Sequence, residues 1–164
     1  MDFDNIRLQL LAWMTEFVEQ PTPRLGNWAP CPFARAARIN NRIHITHSEV
    51  DQLANTVDQS LSLLGTYEVV IICFDHTLIS GENCGKLTAD LNTKLMTQDV
   101  VILEDHPALV EHVAGVKMNF GLCGLFVIQE LSKLNKAADK LKTSGYYSHW
   151  TQSELDEVIT WRNN

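Results

Sequence analysis

The sequence predicts a single α/β domain: a small, mostly parallel sheet of at least three strands, packed with helices and followed by a helical carboxyl-terminal region. Three observations carry this prediction. Segments with the two-residue period or β-branched content of strands alternate with segments of helical period, in the order strand, helix, strand, helix, strand. Strands joined through helices require right-handed crossovers, which makes parallel neighbours the expected arrangement. A chain of 164 residues, 45% of them apolar, buries about 70% of the surface its unfolded form exposes, enough for one core without disulfides or a structural metal.

The elements follow from their spacing. Ile6, Leu10, Trp13 or Met14, and Phe17 predict an amphipathic helix over residues 3–19 that stops before Pro21. Gln20 to Pro32 carries four prolines and Gly26 and reads as an ordered loop, after which a short helix begins at Pro32. Ile43 and Ile45 alternate with polar residues as a half-covered strand does. Ser48 is placed to cap the next helix, whose stripe of Val50, Leu53, Val57, Leu61 and Leu64 ends at Gly65. Tyr67 to Phe74 (YEVVIICF) is nearly continuous and β-branched, the pattern of a strand buried on both faces at the centre of the sheet.

Leu87, Leu91 and Leu95 give a helix over about 83–97, and Val100 to Leu103 a third strand. Pro107 to Val113 is expected as a short helix closed by Gly115. From Leu122, the residues Val127, Leu131, Leu134, Ala138 and Leu141 recur every three or four positions and predict one long helix to about 143, although GLFVIQ taken alone reads equally as a strand. Thr151 or Ser153 starts a last helix to Trp161.

Composition narrows the function. With 13 Lys and Arg against 20 Asp and Glu the formal charge is −7, which argues against nucleic acid as the partner. The longest apolar run, Gly121 to Ile128, is far short of the ~20 residues that cross a bilayer, and Asp2 and Asp4 contradict a basic leader, so no membrane partner and a cytoplasmic location are expected. Cys31, Cys73, Cys84 and Cys123 lie far apart with no C-x-x-C pair, as reduced thiols do.

Chemistry is expected at one place. The three predicted strands run into His47, Asp75-His76 and Asp105-His106, the histidines spaced roughly 30 residues apart, the length of one strand-helix unit. Parallel strands would set all three along the carboxyl edge of the sheet, where open α/β folds place ligands. Cys31-Pro32 makes Cys31 the expected N-cap of the short helix, where free backbone N–H groups and the helix dipole favour a thiolate. Cys73 and Cys123 sit in apolar runs and read as core fillers.

His106-Pro107 repeats the motif, giving a neutral imidazole as a base for Cys31, with Asp105 or Asp75 to orient it. No acidic residue lies between Glu19 and Glu49, whereas Arg24, Arg35, Arg38 and Arg42 do, and Arg35 and Arg38 share one side of the short helix. These observations point to a small enzyme acting on an anionic small molecule through Cys31 and His106, with Arg35 as the anion contact and no required cofactor. Two other readings stand beside it. One is a zinc- or iron-dependent enzyme using His47, His76 and His106; the other is a non-catalytic domain holding a ligand or partner in the same cleft.

Pro23-Arg24-Leu25-Gly26 and Cys31-Pro32-Phe33-Ala34, preceded by a helix with Trp13 and followed by His106-Pro107 and Asn119, resemble uncharacterised bacterial domain families of unknown function with a Leu-Gly, then Cys-Pro-Phe signature. The resemblance covers most of residues 9–140 and implies one α/β domain with Cys31 and His106 at the motif positions; Asn119, which follows in the same order, is assigned to substrate binding with Arg35 and Arg38. It implies no reaction. His47 and His76 fall outside its pattern.

Overall fold

A computed structural model describes residues 1–163. Its centre is a four-stranded sheet built from β1 (Ile43–His47), β2 (Val69–Phe74), β3 (Val100–Asp105) and β6 (Gly124–Glu130), in the order β1-β2-β6-β3. A small hairpin of β4 (His112–Val113) and β5 (Val116–Lys117) stands apart from it. The helices are α1 (Phe3–Trp13), α2 (Ala34–Ile39), α3 (Leu53–Ser60), α4 (Gly81–Leu95), α5 (Leu131–Lys142) and α6 (Gln152–Val158).

The three expected strands are present and run in one direction, but the sheet is not mostly parallel. β1 and β2 pair in parallel, whereas β6 runs antiparallel between β2 and β3 and supplies the other two pairings. The expected helix from Leu122 is therefore two elements, a strand to Glu130 and a helix from Leu131. The apolar run from Gly124 to Ile128 fills the slot between two parallel strands, and pairing on both sides outweighs its helical spacing. Gly124 fits there because the Phe74 ring lies over it: a β-carbon would come within 2.1 Å of that ring.

Two smaller expectations are also corrected. Pro107 to Val113 makes a single turn, Leu109 N–H to His106 O, and then enters the hairpin. Asn119 takes over the hydrogen bonds that a continuing helix would need, its amide donating to Leu109 O and its oxygen accepting from Glu111 N–H. Ser48 does not cap α3; its hydroxyl pairs with that of Thr56.

Helical backbone over residues 3–18 agrees with the first predicted helix, its last turn being a π-helix over Met14–Val18. α6 starts at Thr151, whose side chain and that of Glu154 cap each other's backbone, and a 3-10 turn over Thr160–Asn163 follows.

The sheet buries its two faces differently. On one, α3 and α4 cover Val70, Ile72, Phe74, Ile102, Phe126 and Ile128, all fully buried. On the other, α1 packs through Leu10 against Ile71, Cys73 and Leu125. α5 and the segment to Asn163 complete that layer, but between them and the sheet a space of about 520 Å³ is left.

Candidate functional site

β1, β2 and β3 share one direction, so His47, His76 and His106 do lie at one sheet edge. They do not converge on a centre. His47 packs on the Phe3 ring at 4.4 Å, while His76 meets His106 edge-on at 5.9 Å. His106 is buried and both of its nitrogens are engaged: Nδ1 accepts from Ala108 N–H at 3.1 Å, which places the proton on Nε2, and Nε2 donates to Ile79 O at 3.0 Å. With no free lone pair it is neither an available base nor a ligand in this arrangement. No group of three His, Cys, Asp or Glu side chains among the described residues is close enough to hold a metal ion.

Cys31 lies elsewhere. The N-cap of α2 is Phe33, not Cys31, which sits in the preceding turn with its N–H on Val18 O. The N–H groups of Phe33 and Ala34 do favour the thiolate, as the sequence suggests. Desolvation is the stronger influence and, with the Glu19 carboxylate, raises the thiol pKa instead of lowering it. The residue touches solvent, but its sulfur lies close to Tyr146 and Tyr147.

The strand period then separates Cys31 from His106. On β3, Ile102 faces α4, and His106, two positions further on the same alternation as Glu104, bonds to the loop leading into α4. Asp105 points the opposite way, towards the α1 layer near which Cys31 lies. The expected sulfur–imidazole pair is not formed.

Of the remaining predicted residues, all but Arg35 are engaged in structural contacts. Asp105 accepts from Asn119 Nδ2 at 2.9 Å and from Phe120 N–H at 2.8 Å, and so does not orient His106. Asn119 is spent on Asp105, Leu109 and Glu111, tying the hairpin to β3. Arg38 forms a two-pronged pair with buried Glu19, at 2.6 and 2.8 Å, and is thereby neutralised. Arg35 is exposed on α2. The anion cradle expected from Arg35, Arg38 and Asn119 is not assembled. Cys73 and Cys123 are buried side by side, as core thiols; their mutual hydrogen bond and burial raise the pKa of Cys123.

What the structure offers instead is the space on the α1 face. Its floor is the sheet row Ile71, Val127 and Leu103, placed together by the pairings Ile71–Val127 and Leu103–Val127. Its roof is Leu134, Ala137 and Leu141 of α5, and Trp13 and Met14 close one side. Exposed Cys31 and Phe33 stand on its lining, so it reaches solvent. A volume of about 520 Å³ with apolar walls falls within the ~300–1,000 Å³ of small-molecule sites.

The charged groups of this lining are mostly acidic: Glu68, Glu104, Asp105, Glu111 and Glu130 stand in it beside Lys133 and Arg162. Asp105 lies towards the carboxyl edge, its pKa raised by burial despite the N–H of Phe120 and the amide of Asn119. Lys133 pairs with Glu130 at 2.5 Å. Arg162 and Trp150 sit on the wall formed by the carboxyl-terminal segment. The cavity was hidden from sequence reading because a stripe such as Leu134, Ala138 and Leu141 has the same spacing whether it touches the sheet or stands off it.

No described helix is long and apolar enough to cross a membrane. Compared with protein-family models, with curated proteins and with solved structures, the chain matches none of them significantly.

Proposed function

We propose that this domain is a non-catalytic binding module that holds a small molecule with an extended apolar body between the sheet and α5. The observation that carries this reading is the cavity itself: apolar side chains of Ile71, Val127 and Leu103 face about 520 Å³ of space where the opposite sheet face meets its helices directly. Apolar surface turned towards an opening of this size is stabilised when a ligand displaces water from it. The engaged nitrogens of His106 and the raised thiol of Cys31 support binding over a thiolate–imidazole reaction. The proposed location is the cytoplasm, supported by four free cysteines.

The test is titration with N-phenyl-1-naphthylamine, a neutral apolar dye that fluoresces on leaving water. Saturable binding to the native protein is expected, and Val127→Phe, which puts a ring into the floor, is expected to weaken it at least tenfold while the fold is kept. Absence of saturable binding, or undiminished binding to a folded Val127→Phe, overturns the reading.

A further inference from the structure

We propose that the ligand of this cavity carries a single carboxylate, received by Arg162; this rests on the binding-module reading and specifies its chemistry. Arg162 lies in the 3-10 turn after α6 and is only 5% exposed, yet it borders the cavity. Its Nε donates to Asn135 Oδ1 at 2.9 Å, which fixes the plane of the guanidinium. Among the described residues neither terminal nitrogen of that guanidinium has a hydrogen-bond partner, and no carboxylate lies within ion-pair distance of it. A cation removed from water without an opposite charge is costly, and burial pushes the Arg162 pKa down accordingly. The nearest titratable neighbour, Tyr147, does not neutralise it, since burial raises the phenol pKa and keeps the group protonated.

The remaining pair of terminal N–H groups matches the two oxygens of a carboxylate, and one positive charge matches one negative. A phosphate monoester dianion would leave a second charge uncompensated, because Lys133, the other cation of the lining, is already paired with Glu130 and the lining's other charged groups, Glu68, Glu104, Asp105 and Glu111, are acidic. A second donor in the same wall points to the same polarity of ligand: the indole N–H of Trp150 is buried and has no partner. Trp150 and Arg162 both neighbour Tyr147, the former edge-on at 5.2 Å. The apolar walls take the body of the molecule, and the Arg162 guanidinium with the orphaned N–H of Trp150 takes its head.

The experiment is displacement of bound N-phenyl-1-naphthylamine near pH 7.5 by dodecanoate, methyl dodecanoate and dodecan-1-ol, with native protein and with Arg162→Leu. Native protein is expected to bind the carboxylate at least tenfold more tightly than the ester or the alcohol. Arg162→Leu is expected to abolish that preference, so that the carboxylate binds no more tightly than the ester or the alcohol. Equal displacement by all three molecules, displacement by none of them, or a preference that survives in Arg162→Leu, overturns the carboxylate assignment and leaves the cavity reading standing. Failure of the native protein to bind the dye overturns the cavity reading instead. The three ligands compared on native protein alone decide the matter if Arg162→Leu does not fold.

Discussion

The two faces of the sheet are made of similar residues and do different work. The face under α3 and α4 is closed: Phe74 lies edge-on to Phe126 at 5.1 Å, and Leu53, Val57 and Leu95 fill the space above them. The face under α1 and α5 presents Ile71, Leu103 and Val127 to an opening. Close packing gives the first face its contribution to stability, since every atom there has neighbours on all sides. The second face forgoes some of that stabilisation and keeps room for a guest. Stability resides in one layer, and the other is the one to which the proposed recognition is assigned.

Truncating one large side chain on each face tests this most directly. Phe126→Ala, on the closed face, is expected to cost about 3–5 kcal/mol, because the vacated space cannot collapse among fully buried neighbours. Leu103→Ala, on the cavity floor, only widens a space already present and is expected to cost about 1–1.5 kcal/mol, the transfer contribution alone. Urea unfolding of the two variants measures both. Equal losses would mean that the second face is as tightly packed as the first.

The next effect concerns an edge. β3 ends the sheet, so the outward N–H and C=O of Ile102 have no strand to pair with. Asn92 of α4 supplies what a strand would: its oxygen accepts from Ile102 N–H at 2.8 Å and its amide donates to Ile102 O at 2.9 Å. Asn92→Leu keeps the side-chain volume but leaves two buried backbone groups unsatisfied, at an expected cost of about 2–3 kcal/mol. The amide of Ile102 should then exchange with solvent deuterium much faster than its neighbours on β3, and unchanged protection there would refute the role given to Asn92.

How far these features were legible in the sequence differs between the faces too. The leucine stripe of α4 announces the closed face because tight packing leaves a periodic record, whereas YEVVIICF, continuous and without a period, marks only a strand covered on both sides. β6 was concealed by chance agreement between the spacing of Val127 and Leu131 and a helical period; only the slot between β2 and β3 decides it. Asn92 reads as one polar residue on a helix, since its partner is a backbone group that no side-chain pattern encodes. For the candidate site, the sheet edge was legible and the pairing across it was not. Whether Cys31 and His106 face each other depends on strand parity and on where loops return. Arg162 drew no notice because a lone arginine is ordinary until its burial is known.

The smallest expected effect is one of pH, and it belongs to the closed face. Glu104 follows Ile102 on the α4 side of β3, and burial raises its carboxyl above the ordinary 4.5. A carboxyl with a higher pKa in the folded than in the unfolded chain binds its proton more tightly when folded. Its contribution to stability is therefore complete below 4.5 and is lost as pH rises through the raised value. The same charge helps hold the Cys84 thiol, mainly raised by burial, at about 11. Glu104→Gln removes the ionisation without emptying the site. Thermal unfolding between about pH 4 and 8 should show the variant gaining on the native protein as pH rises from 4.5, and the two converging below it. Asp105, the next residue, does not substitute for it in this test: its carboxylate is held by the Phe120 N–H and the Asn119 amide, so neutralising it also loosens the hairpin at the cavity. A Glu104→Gln curve parallel to the native one at every pH would place that carboxylate in water and remove it from the packed layer.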